Sequence, residues 1–213
     1  MGIEGIPVSL HLSGPSGRTP GPSQGEPGPS ETRTKLVKVR ARTTILGVTL
    51  PIILILDIAS KRWAMEALAA RSIELFGGLV PLTLAFNRGA AFGLSIGNDP
   101  RWFFVPVTLV ALTLLSFLLV KTNPGDRFRL LALSLVFSGA LGNLIDRLRW
   151  SRGVVDFIGP INLGFMDWPI FNVADMAISC GAVALAISFW VEDESGSTSP
   201  SDASLEEDPR ATG

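Results

Sequence analysis

The chain is poor in the residues on which much protein chemistry rests. Its 213 residues include one cysteine, Cys180, and one histidine, His11. A single thiol excludes an intramolecular disulfide and a thiolate metal cluster. The histidine lies in a polar N-terminal stretch, so His-Glu-x-x-His zinc sites and Ser-His or Cys-His nucleophile pairs are excluded too. Charge is scarce: 17% of residues are Asp, Glu, Lys or Arg, where a soluble domain carries about a quarter. The net charge of −1 gives no basic field for nucleic acid, which is not expected as a partner. Any chemistry must come from Asp, Asn, Lys, Arg or Ser, with neither metal nor cofactor expected.

What is abundant is apolar. Hydrophobic residues make up 47% of the chain and the mean hydropathy is +0.40. They are unevenly spread. Segments 1–42 and 192–213 hold 13 of them in 64 positions. The middle 149 residues are therefore roughly 58% hydrophobic, a membrane-span density. The organisation read from this is a disordered polar N-terminal extension (1–42), a membrane domain (43–191) and a disordered acidic tail (192–213). The Gly-Pro-Ser run at 13–30 is the clearest disorder signal, because it cannot bury enough apolar surface to offset its ordering entropy.

Four apolar runs predict an all-α integral membrane protein with four transmembrane helices, near 43–61, 102–121, 129–147 and 170–191. Thr43–Leu56, Trp102–Val120 and Leu130–Ile145 are uncharged, and Trp168–Val191 is interrupted only by Asp175. Extended to Ser60, even the first run reaches roughly 27 Å, close to the ~30 Å hydrocarbon core. Leu75–Asn87 is also uncharged but is broken by Gly77-Gly78 and Pro81, so it reads as interfacial strands or a partial helix. Lys and Arg are denser in 31–42 and 121–129 than in 61–101 and 147–152, which favours both termini inside. Trp63, Trp102, Trp150 and Trp168 fall near the outer helix ends and Trp190 near the inner face, the pattern of two interfacial belts.

In an up-down-up-down bundle the end of helix one, the start of two, the end of three and the start of four share one face. The unusual polar residues gather there: Asp57 and Lys61, then Asn87, then Asn143, Asp146 and Arg147, then Asp156, and finally Asn172 and Asp175. Polar groups at membrane depth are costly, so the cluster marks a functional site. Each member also has a plain structural reading. Asp57 and Lys61 are spaced as an intrahelical ion pair, and Asn172 with Asp175 as a helix N-cap with an acidic first turn. Asp146, Arg147, Arg149 and Arg152 could snorkel to water. Asn143 could bond between helices, and Cys180 reads as a packing residue beside Gly181 and Ala182. Together, Asp156 and Asp175 stand out as two carboxylates in one partly apolar site. Such a pair shares a proton and splits into acid and base, which can activate water against a peptide carbonyl.

Five motifs occur in order: Asp57-x-x-x-Lys61, Asn87-Arg88-Gly89-Ala90-Ala91-Phe92, Gly139-Ala140-Leu141-Gly142-Asn143-Leu144-Ile145-Asp146-Arg147, Val154-Val155-Asp156-Phe157 and Phe171-Asn172-Val173-Ala174-Asp175. The set closely resembles bacterial lipoprotein signal peptidase, or signal peptidase II, over about 43–191. The resemblance implies a four-helix inner-membrane aspartic endopeptidase with a small extracytoplasmic β-cradle, to which Leu75–Asn87 would belong, and a short periplasmic-side helix. It implies cleavage of prolipoprotein signal peptides before a diacylglyceryl-modified cysteine, at a site near the extracytoplasmic face. Carried over, the catalytic dyad is Asp156 and Asp175. Asp57, Asn87, Asn143, Arg147 and Asn172 would shape the site and contact substrate or the inhibitor globomycin, with Lys61 in the surrounding shell. The expected partners are lipid-modified prolipoproteins and membrane lipids. Ile58 and Ser138 depart from the family's common Gln and Gly, and residues 1–42 have no counterpart in its short members. The rival readings are a small proton-coupled transporter, which would place carboxylates near mid-membrane, and a non-catalytic assembly protein.

Overall fold

Long uncharged runs have few ways to satisfy their backbone in a membrane, and the helix is the chief one. The computed structural model describes residue 2, residues 29–89 and residues 101–197. Among the described residues four helices are long and apolar enough to cross a membrane. They are α1 (Pro29–Ala67), α2 (Arg101–Lys121), α3 (Arg127–Arg149) and α4 (Val173–Ser197). Three boundaries differ from the sequence expectation by six residues or more, one of them the end of α1, at Ala67 rather than near 61. Helix α1 begins at Pro29, so residues 29–42, assigned above to the polar extension, are helical. Residues 30–42 contain neither Gly nor Pro, and adding a residue to an existing helix carries no nucleation cost. Helix α4 likewise runs six residues into the acidic tail. The remaining tail residues, His11 and Ala90-Ala91-Phe92 of the second motif lie outside the described residues.

Helix α3 is the centre of the bundle, packed against α1, α2 and α4, whereas α1 and α2 scarcely touch. Half of its apolar window is buried in protein, against 11–17% in the other three helices. The sequence explains why. Gly139 and Gly142 let neighbours come close: a Cβ on Gly139 would lie 2.4 Å from the Ala174 carbonyl oxygen, and one on Gly142 2.8 Å from an Asp57 carboxylate oxygen. Small residues at helix interfaces are the usual means of close packing in lipid. The outward faces of the other helices carry exposed Val, Leu, Ile and Phe, and Trp63, Trp102, Trp168 and Trp190 are all well exposed.

The broken stretch before α2 forms strands, as its Gly and Pro content suggested. Strands β1 (Ile73–Leu75), β2 (Val80–Asn87) and β3 (Val154–Ile158) make an antiparallel sheet in the order β1-β2-β3. Phe76–Gly78 forms a 3₁₀ turn between the first two. A second, two-stranded sheet joins β4 (Ile161–Asn162) and β5 (Asp167–Trp168). Ala64, Leu68, Leu82 and Phe157 form a buried cluster that seats the larger sheet on the end of α1. Leu119, Leu130 and Leu133 form a separate one at the far end of the bundle.

Candidate active site

Four segments bring the polar residues together. The end of α1 supplies Asp57 and Lys61, the end of α3 Asn143, Asp146 and Arg147, strand β3 Asp156, and the start of α4 Asn172 and Asp175. Strand β3 is fixed on both sides. Phe86 pairs with Val155, and Asn87 with Val154, across β2. On the other side, the Phe171 N–H donates to the Ile158 carbonyl at 2.9 Å, and the Phe157 and Ile158 N–H groups donate to the Phe171 carbonyl. That bridge puts Asn172, the next residue, beside Asp156.

Asn172 caps α4 and also serves the site. Its Oδ1 accepts from the Asp175 N–H at 2.9 Å, and an Asp175 carboxylate oxygen accepts from the Asn172 N–H at 3.2 Å. This is a reciprocal capping box with Asp in the acidic position. The fully buried side-chain amide of Asn172 then donates to Asp156 at 2.6 Å, with the Asn143 side-chain oxygen and Val155 carbonyl at 3.2 and 3.3 Å. Asn172 is thus the N-cap of α4, and the same side chain also contacts Asp156. Asn143 reaches the other carboxylate, its amide donating to Asp175 at 2.7 Å.

Below this pair lies an ionic cluster. The Lys61 ammonium donates to Asp57 at 2.7 Å and to Asn143 at 3.1 Å, and lies 2.8 Å from an Asp146 oxygen. Three donors thus meet three acceptors, and Lys61 is 3% exposed. The second Asp57 oxygen accepts from the Ala174 N–H in the first turn of α4, where an anion is favoured by the unsatisfied N–H groups and dipole. The intrahelical pair foreseen for Asp57 and Lys61 is present, but it is one edge of a tertiary network.

Asp146 is the member of the polar cluster to which the sequence reading gave no role in the site. It is buried, pairs with Lys61 and accepts from the Val155 N–H at 3.3 Å, tying α3 to the strand that carries Asp156. It is no snorkelling interfacial charge, because its partner is internal. Its spacing of three from Asn143 puts both on one helix face, which was the available signal.

Arg147 lies one turn beyond Asn143. It donates to the Asn143 carbonyl at 3.3 Å and its guanidinium stands 5.4 Å from the Phe104 ring centre. Its buried Nε has no hydrogen-bond partner, and among the described residues it forms no ion pair with either dyad carboxylate. Asn87 accepts from the Gly89 N–H at 2.8 Å, and its side chain helps to favour the charged form of Asp156. Cys180 corrects the packing reading: it is exposed. Gly181 is the residue that faces α3, since a Cβ there would lie 2.7 Å from the Ala132 carbonyl. One residue earlier on the helix, Cys180 turns outward into an apolar groove of about 590 Å³ that runs past Asp175, Trp168, Phe171 and Met176.

The electrostatics separate the carboxylates. Burial, and next the charge of Asp175, push the Asp156 carboxyl up from 3.8 to about 6. Hydrogen bonds from Asn87 and Asn172 and the charge of Lys61 oppose the shift without cancelling it. A buried carboxyl whose proton is held to about pH 6, bonded to the same Asn as a second carboxyl, is equipped for acid–base chemistry.

Comparison with known proteins places the chain in a family. The family described as signal peptidase (SPase) II matches residues 49–191. A lipoprotein signal peptidase of Streptococcus pyogenes serotype M2 is 39% identical over 149 residues, covering 70% of this chain and 94% of that protein. Its counterpart in serotype M5 is 38% identical over the same coverage. A solved bacterial membrane enzyme, determined by the in meso method at 2.3 Å, superposes with a TM-score of 0.61 at 32% identity, covering 71% of this chain and 90% of that one. A second, at 1.9 Å, gives 0.58 at 31% identity, covering 68% and 91%. With four helices long and apolar enough to cross a membrane and a family match over residues 49–191, this multi-pass chain belongs to the signal peptidase II family of membrane proteases.

Proposed function

We propose that this protease is an aspartic endopeptidase that removes signal peptides from diacylglyceryl-modified prolipoproteins, cutting before the lipidated cysteine. The observation that carries the reading is the Asp156–Asp175 pair, joined through Asn172, with Asp156 inclined to hold a proton to about pH 6. One ionised Asp takes a proton from water as its oxygen attacks the scissile carbonyl carbon. The other, protonated, donates to the carbonyl oxygen. The tetrahedral intermediate then collapses, the C–N bond breaks, and the proton first taken from water passes to the departing amine. The pair titrates as a unit, so acid and base roles belong to the pair rather than to one residue. The proton-coupled transporter reading loses its ground to the family membership and to the gathering of carboxylates at one end of the bundle.

Both termini lie in the cytoplasm of the bacterial cell and the site near the outer face of the inner membrane; the denser Lys and Arg of 31–42 and 121–129 support this orientation. The substrate's signal helix lies in the bilayer and its acyl chains hold the cysteine at the boundary. A globomycin-type inhibitor would compete for the same carboxylates. The test is cleavage of a diacylglyceryl-modified prolipoprotein by the detergent-purified protein, followed by gel shift, with an unlipidated control. Wild type should cut only the lipidated form. Asp156→Asn and Asp175→Asn should fold and lose activity by about 10³-fold or more, in the range of a positioned acid–base group. Normal cleavage by both variants would end the dyad assignment. An untouched lipidated substrate with folded wild type would end the peptidase reading for this substrate class.

A further inference from the structure

At the end of the bundle remote from Asp156, α1 and α2 flank a groove of about 440 Å³. Its walls are Leu46, Gly47 and Leu50 of α1 and Leu119 and Val120 of α2, and Arg42 stands at its head with Thr43. From Arg42 to Leu50 the groove follows two turns of helix, about 12 Å into the apolar span. The space in front of Gly47 is free: a Cβ added there meets nothing within 4 Å.

Arg42 has half of an explanation within the protein. One terminal nitrogen donates to the Thr122 carbonyl just beyond the end of α2, where a cation suits the orphan carbonyls. Its Nε is buried and has no hydrogen-bond partner. An N–H without an acceptor at this depth is costly, and a guanidinium presents a fork matched to a phosphate. The charge of the groove itself favours a negative ligand: Arg42 is the one ionisable residue in its lining, and Lys121 follows Val120.

We infer that this groove binds one anionic phospholipid, with its phosphate diester on the Arg42 guanidinium and an acyl chain lying past Gly47 between α1 and α2. The site is independent of the peptidase chemistry and lies at the opposite end of the molecule. A basic group between membrane helices, above an apolar slot, is a recognised form of lipid headgroup site.

The experiment is native mass spectrometry of the full-length protein in detergent, titrated with phosphatidylglycerol and, in parallel, phosphatidylcholine. Wild type should retain one phosphatidylglycerol in preference to phosphatidylcholine. Arg42→Gln should weaken retention about fivefold or more, the factor that ~1 kcal/mol per cation at an anionic lipid surface implies. Gly47→Leu fills the slot without touching the cation, and should lower retention of phosphatidylglycerol even though Arg42 is intact. Arg127→Gln removes an exposed cation at the same end outside the groove, and should change nothing. Equal retention of the two lipids by wild type overturns the proposal, as does undiminished retention by Arg42→Gln. A loss in Arg127→Gln equal to that in Arg42→Gln overturns it too, because binding would then follow total charge. If Gly47→Leu does not yield monodisperse protein, the two Arg variants still decide.

Discussion

Two pairs of carboxylates lie within one end of this bundle, and they are built differently. Asp57 and Asp146 share Lys61, whose ammonium lies 2.7 and 2.8 Å from them. Asp156 and Asp175 share only amides: Asn172 serves both, Asn143 holds Asp175, and among the described residues no cation forms an ion pair with either. The first pair has its charge compensated inside the protein and works as a clamp between α1, α3 and α4. The second is held in place by amides, and burial, together with the neighbouring charge of Asp175, makes Asp156 retain a proton where an ordinary carboxylate would not. On the proposed function, geometry is supplied by one pair and reactivity by the other, and Asn143 touches both.

The largest expected effect on stability comes from breaking the clamp. Lys61→Met leaves two buried carboxylates without their cation, and should destabilise the protein by about 3–5 kcal/mol, the usual result of removing one partner of a buried pair. Denaturant unfolding of the purified protein measures it. Adding Asp146→Asn should recover part of the loss, because one uncompensated charge is then gone. A wild-type unfolding midpoint for Lys61→Met would mean that the cluster holds nothing.

The opposite sign is expected at the dyad. The folded protein holds the Asp156 proton to about pH 6, whereas the unfolded chain releases it near 3.8. Stability from this group is therefore full below about 3.8, declines as the pH rises to about 6, and stays low above that. The difference corresponds to about 3 kcal/mol as an upper figure. Asp156→Asn should be inactive yet more stable than wild type at pH 7.5, with the gain vanishing near pH 4. In wild type, kcat/KM should fall as the pH climbs past the point where the pair loses its shared proton. A less stable Asp156→Asn at pH 7.5 would show that the carboxylate is structural, like those of the clamp.

Much of this division was legible in the sequence, and the reasons for the rest are physical. Uncharged runs gave the four spans, because a membrane leaves little alternative to a helix for such segments. Up-down alternation then put Asp57, Asn143, Asp156 and Asp175 at one end, since each span reverses direction. Gly77-Gly78 and Pro81 were enough to deny the 75–87 stretch a helix. The start of α1 was not legible: the Gly-Pro-Ser run ends near Ser30, but helix propagation back to Pro29 depends on a nucleus further along the chain. Nor was the role of Asp146, since its partners Lys61 and Val155 are remote in sequence and a charge at a helix end looks the same whether it meets water or a buried lysine. Cys180 was misread because Gly181 beside it, not Cys180 itself, faces α3.

The finest cut between the two pairs is Gly142→Ala. Its Cβ would lie 2.8 Å from the Asp57 oxygen that accepts from Lys61, and 3.5 Å from the Ala174 Cβ. That oxygen belongs to a buried side chain fixed at both ends, so it cannot swing into solvent. The substitution should cost about 1–3 kcal/mol, in the range for overpacking a well-filled site. It strains the clamp but reaches no atom of Asp156, whose contacts are Asn172, Asn87 and the β3 strand. The Gly142→Ala protein should thus unfold at lower denaturant while its kcat/KM keeps the wild-type fall with rising pH. If that fall moves as well, the two pairs are coupled, and Asn143, which bonds Lys61 through its oxygen and Asp175 through its amide, is the link that carries the strain.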